Sequence, residues 1–238
     1  MMSMDHFTIL SVVVLIAAFV QGSTGVGFAL IVAPVLGLLQ AELLPVCVLL
    51  LMLPLNMYVA WRENGSVDRR GARWITGGRV VGTAGGLWVL MVLSSNHLAM
   101  FVGISTIAAA LVTLAMPAFS PGRTAFVGAG LVTGITETAT GIGGPPLALL
   151  YQHQSPAVMR STIAVCFMLG ELVSLISLIA MDRISQTQVI SAIFLLPALA
   201  VGAILSQVVH RHINGIFLRT FVQIFAIASG ALLLVRSV

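Results

Sequence analysis

Two carboxylates stand where a membrane protein rarely places them. Glu137 precedes Gly141 by four residues, and Glu171 lies near the centre of an uninterrupted apolar run over 159–181. An ionisable group at membrane depth marks a transport path or a proton relay, so both are candidates for coupling transport to protons. Their alternative role is a structural hydrogen bond or salt bridge. Near them lie two glycine-rich breaks, Gly22-Ser-Thr-Gly-Val-Gly27 and Thr138-Ala-Thr-Gly-Ile-Gly-Gly-Pro-Pro146. Past each break a short helix is expected, starting near Phe28 and near Pro146. The first N–H groups of such a helix lack intrahelical partners and carry the positive end of its dipole. That end binds anions without any lysine. Glycine allows a ligand close to the backbone, and Pro145 and Pro146 suit a first helical turn. The expected anion site is therefore Gly25 and Gly27 in the first break and Gly141, Gly143 and Gly144 in the second. Around them stand the polar side chains of Gln21, Ser23 and Thr24, and of Thr138 and Thr140, with Thr136 alongside. Capping or helix–helix adhesion is the competing role of these hydroxyls.

The elements that position these groups follow from composition. Of 238 residues, 59 % are hydrophobic and 8 % charged, against roughly 45–50 % and about 25 % in a soluble domain. Mean hydropathy is +1.11. Neither a soluble fold nor a disordered chain fits these values; an all-α integral membrane protein does. A spanning helix needs about 20 apolar residues, and six runs qualify: 43–61, 74–93, 98–116, 159–181, 188–209 and 213–235. The stretches 7–40 and 124–152 are apolar but broken, each into pieces of about 9–18 residues, short for full spans. They are expected as re-entrant hairpins or interrupted helices, with a polar cavity near the midplane, because non-helical backbone at that depth needs protein or water around it.

All 11 basic residues are arginine. They sit in short loops between apolar runs, so the net charge of +4 is a topology signal and not a nucleic-acid surface. Placing the loop of Arg62, Arg69, Arg70 and Arg73 in the cytoplasm also puts Arg123, Arg160, Arg211 and Arg219 there. Arg183, Arg236 and both termini then fall outside. Arg79 lies inside a span and is expected to snorkel and set topology, with pairing to a carboxylate or attraction of substrate on the cytoplasmic side as its other role. The opening residues lack a positive segment and are not expected to be a signal peptide. Cys47 and Cys166 form no CxxC motif. His210-Arg-His212 is expected as a solvated loop. No metal or cofactor is expected.

Thr24-Gly-Val-Gly27 resembles Thr140-Gly-Ile-Gly143 at an offset of 116. Each half is one broken hairpin followed by three full spans, and an odd number of spans turns the second half over. This predicts two inverted repeats, 1–116 and 117–238, within one transmembrane domain, the plan of secondary transporters. Gly78, Gly82 and Gly86 form a small-residue stripe for close helix contact, expected within the chain, with a homodimer as the other option.

Phe19-Val-Gln-Gly-Ser-Thr-Gly-Val-Gly-Phe-Ala-Leu-Ile-Val-Ala-Pro34 resembles the first repeat of the sulfite exporter TauE/SafE family. Gly134-Ile-Thr-Glu-Thr-Ala-Thr-Gly-Ile-Gly-Gly-Pro-Pro146 resembles its second repeat, with Gly-x-Gly-Gly-Pro the more specific element. Phe28 follows Gly27 where the family often carries consecutive glycines. The resemblance implies export of sulfite or a small organosulfur anion across the bacterial inner membrane. Import, or a channel for another small anion such as thiosulfate or an organic carboxylate, is the alternative. An intramembrane enzyme is not expected: HExxH, GxSxG and paired intramembrane aspartates are missing from the sequence.

Overall fold

A computed structural model describes residues 4–115, 121–209 and 215–237, and all regular structure in them is helical. The first half gives α1 (Met4–Thr24), α2 (Phe28–Gln40), α3 (Val46–Arg62), α4 (Arg69–Val92) and α5 (Ser95–Ala115). The second gives α6 (Arg123–Thr140), α7 (Gly144–Tyr151), α8 (Pro156–Ala180), α9 (Gln186–Val209) and α10 (Gly215–Ser237). Short 3-10 turns follow α2 and α3. The six expected spans correspond to α3, α4, α5, α8, α9 and α10. Residues 116–120 and the His210-Arg-His212 loop lie outside the described residues.

Both breaks interrupt helices where expected, but the pieces are unequal. α1 has 21 residues and is itself long and apolar enough to cross a membrane, as are α4, α8 and most of α9. The expected short first piece is thus corrected: the helix is already under way at Met4, ahead of the apolar run that starts at Phe7. α7 is only 8 residues long.

The two halves interleave. α4 runs along α6 and α1 along α9, while α3 packs on α8 and α5 on α10. The α4–α6 contact is made by glycine. A methyl on Gly78, Gly82 or Gly86 would collide with the α6 backbone at Val127, Leu131 or Ile135, and one on Gly130 or Gly134 with α4 at Ile75 or Arg79. Small residues let backbones approach this closely in lipid, where van der Waals contact is a main force between helices. The stripe therefore faces inside the chain. Large apolar side chains point outward instead, Trp61, Trp88, Ile176, Phe194 and Ile224 among them, as a lipid-facing surface requires.

The arginine-rich loop after α3 is tied to the second half. Asp68 caps α4 by accepting from the Arg70 and Gly71 N–H groups, and its other oxygen accepts from the Tyr151 hydroxyl at 2.9 Å. Its own N–H donates to Thr162 Oγ1 at 2.9 Å. Gly71 is required here, since any side chain would meet the Tyr151 hydroxyl.

Arg79 departs from expectation. It lies ten residues into α4, about 15 Å along the helix, and is 1 % exposed. It does not snorkel. Its guanidinium pairs with Glu137 and lies 5.2 Å over the Phe167 ring, in space that Gly170 leaves open.

Candidate functional site

The two breaks are built alike. At the first, the Gly25 N–H donates to the Gln21 carbonyl at 2.7 Å, with Gly25 at φ 89°. At the second, the Gly141 N–H donates to the Glu137 carbonyl at 2.7 Å, with Gly141 at φ 83°. Only glycine adopts this left-handed geometry without cost. Thr24 Oγ1 donates to the Val20 carbonyl and accepts from the Val26 N–H; Thr140 Oγ1 donates to the Thr136 carbonyl and accepts from the Ile142 N–H. Each threonine thus closes its own turn.

The two breaks rest on different neighbours. Gly25 lies against Arg160, near the start of α8, and Arg62 at the end of α3 donates to the Gly22 carbonyl at 2.7 Å. Gly141 lies against Val48, near the start of α3. They nevertheless meet: a methyl at Gly144 would stand 3.6 Å from Val26 Cβ. Beside that meeting point lies a cavity of about 220 Å³, lined by Thr24, Val26, Pro145, Gln152, Thr220 and Gln223 among others. It has room for a small anion with water. Its lining is largely apolar, its polar groups are neutral hydroxyls and amides, and of the expected anion-site residues Thr24 is the one that lines it among the described residues.

The remaining expected site residues divide. Ser23 donates back to the Phe19 carbonyl, Thr136 to Val132, and Thr138 bonds Ser174 at 2.8 Å. Gln21 reaches over the break: its Oε1 accepts from the Phe28 N–H at 3.0 Å, the first N–H of α2. Its Nε2 donates to Asn56 Oδ1 at 2.9 Å, and Asn56 Nδ2 donates to Glu171 Oε1 at 2.7 Å. Gln21, Asn56, Glu137 and Glu171 are all at most 1 % exposed. Gly27, at φ 121°, packs under Val20 and Val222. The carbonyl of Gly143 accepts from Thr133 Oγ1, and a methyl on Gly143 would meet Glu137 Oε2. The ionised partner of Arg79 thus stands at the first turn of α7.

A family-model comparison matches residues 10–233 to the description "Sulfite exporter TauE/SafE". The chain belongs to the TauE/SafE family. No curated protein and no solved structure gives a significant match. Nearly the whole chain is covered, both breaks included. A TauE/SafE protein is a multi-pass membrane transporter of sulfite-type anions, and the buried polar network between apolar spans is consistent with that. Sequence reasoning missed three parts of this TauE/SafE site. Arg62 was visible only as a loop charge, yet it binds the carbonyl end of α1, where a cation also complements the dipole. Arg160, bound to Glu63 at 2.9 Å, carries its stem onto Gly25. Thr220 and Gln223 carry a usable signal, being polar and three apart on one face of an otherwise apolar helix.

Proposed function

We propose that this protein is a secondary carrier that exports sulfite or a small sulfonate-type anion across the bacterial inner membrane, coupled to protons. The observation that carries the reading is the pair of matched glycine breaks, alike at Gly25 and Gly141 and in the threonine that closes each turn, meeting beside a cavity of about 220 Å³. Gln21, Ser23, Thr24, Gly25 and Gly27 frame the anion on one side. Thr138, Thr140, Gly141, Gly143 and Gly144 frame it on the other. Residues 1–116 and 117–238 are two inverted repeats, with both termini outside. The packing supports the repeat itself, because exchanging the halves turns the α4–α6 contact into α9–α1 and the α4–α8 contact into α9–α3. Of the two proton candidates, Glu171 is favoured over Glu137. Each has one carboxyl oxygen buried without a partner, but Glu137 is also held by Arg79, whereas Glu171 is bonded by the neutral amide of Asn56. The chain works as a transporter and not as an enzyme.

The test is a thermal-stability panel with sulfite, thiosulfate, short alkanesulfonates and simple carboxylates, since a ligand of the folded state raises the melting temperature. A rise with a sulfur anion, lost in Gly141→Leu, supports substrate class and site together. A rise with carboxylates alone discards the sulfur assignment and keeps the carrier.

A further inference from the structure

Gln21, Asn56 and Glu171 form a single file with a direction. The Phe28 N–H can only donate, so it fixes Gln21 with its oxygen toward α2 and its NH2 toward Asn56. An ionised carboxylate can only accept, so Glu171 fixes Asn56 with its NH2 outward. The two ends agree, and every bond of the file is made while Glu171 Oε1 accepts, with only Oε2 at the far end left without a partner. In that state the first N–H of α2 is occupied by Gln21.

We propose that Asn56, as a positioning residue acting with Gln21, relays the proton state of Glu171 to the anion-binding end of α2, so that proton and anion bind together. The inference rests on the anion-carrier reading above. A proton adds to a lone pair of Glu171 Oε2, the oxygen without a partner. A half-turn of the carboxyl, a soft two-fold torsion, presents the new O–H to Asn56. Asn56 then accepts through Oδ1 and turns its NH2 to Gln21. Gln21 accepts in turn and swings its own NH2 toward the break. Two donors, the Phe28 N–H and Gln21 Nε2, now converge with no protein acceptor. Leaving buried donors unpaired costs about 1–3 kcal/mol each, so the reversed file persists only when an anion oxygen takes both. When the anion leaves, the file reverts and the proton departs from Oε2.

Glu171 shares its buried surroundings with several charged and titratable groups. Arg79 on α4 pairs with Glu137 on α6 through Nη2, its Nε and Nη1 have no hydrogen-bond partner, and its charge also acts on Glu171; Asn56 is the polar contact from α3. Tyr151 on α7 is bonded to Asp68. Glu63, beside the turn after α3, is paired with Arg160 of α8 itself, and Cys166 is a buried thiol on the same helix.

The test uses methanesulfonate, which stays ionised across the range, and the intact protein in detergent or proteoliposomes. Wild type should bind it about tenfold more weakly near pH 8 than near pH 6, the reciprocal of proton uptake on binding. Asn56→Leu and Gln21→Met should bind with less than about twofold dependence on pH. A pH dependence unchanged in Asn56→Leu overturns the relay, as does a flat wild-type profile. Should either variant fail to fold, infrared difference spectra of wild type decide. Methanesulfonate should add a protonated-carboxyl band that is missing in Glu171→Gln, and its absence from wild type overturns the proposal. Wild type that binds neither methanesulfonate nor sulfite at either pH defeats the carrier reading and the relay with it. Binding that is intact but uncoupled defeats the relay alone.

Discussion

Gln21 and Glu137, 116 residues apart, fold their side chains over the first turn of the short helix that follows their own break. Gln21 Oε1 takes the Phe28 N–H, and Glu137 Oε2 stands against Gly143. The second place is filled by an internal anion already balanced by Arg79, the first by a neutral amide. On the proposed carrier reading, an incoming anion meets a displaceable competitor only at the first break.

The left-handed glycines give the plainest prediction. Gly25→Leu and Gly141→Leu each place a side chain at positive φ and against Arg160 or Val48, a conformation costing about 1–2 kcal/mol before any clash. Sulfite flux in proteoliposomes should fall at least tenfold while membrane insertion is largely retained. Normal flux in both variants would remove the breaks from the transport path.

Breaking the buried ion pair should be costly. Glu137→Leu leaves Arg79 as an uncompensated buried charge and should destabilise by about 3–5 kcal/mol. The double variant Arg79→Met/Glu137→Leu should recover most of that loss. Chemical denaturation of the four proteins of this cycle measures the coupling, and additive losses would mean that the pair contributes nothing.

The glycines of α4 are not equivalent. Gly82→Ala thrusts a methyl into the Leu131 carbonyl and should destabilise by about 1–3 kcal/mol. Gly77, on the same helix, has open space about its Cβ position, so Gly77→Ala should be neutral or stabilising by up to about 1 kcal/mol. Melting temperatures of the two variants should shift in opposite directions or by clearly different amounts.

Arg62 anchors the carbonyl end of α1. Arg62→Ala removes a charge-assisted bond to Gly22 and should destabilise by about 1.5–3 kcal/mol. The loss should be local: hydrogen exchange should quicken over residues 22–28 more than in α5, since Arg62 bonds Gly22 on α1 and Ser206 on α9. Uniform quickening would show that Arg62 supports the whole bundle instead.

Much of this architecture is legible in the sequence because the bilayer imposes one length on every span and glycine marks where helices stop. Cys47 through Arg62 reads as a span from its apolar run alone. Pairing of Arg79 with a carboxylate was legible only as its second role, and the identity of the partner was not. Its depth depends on where α4 begins, and its partner Glu137 lies 58 residues away on a helix brought near by glycine contacts. Asn56 and Glu171 meet across 115 residues for the same reason. No local pattern encodes that distance. The length of α1 was misjudged because the polar start, with Asp5 and His6, hides a helix that is already under way at Met4.

The glycine-lined contact of α4 with α6, and its counterpart of α1 with α9, has a mechanical consequence. Backbones packed without side chains between them have nothing soft to compress and no room to slide. Each contact joins a helix from one half of the sequence to a helix from the other. The two halves are therefore stitched together like interlaced fingers and cannot part as bodies. The stiff units are mixed pairs, one of which carries Arg79 and Glu137 as fixed cargo. Any motion that opens the cavity falls to the parts outside those stitches, the short helices α2 and α7 and the spans they lean on, α5 and α10.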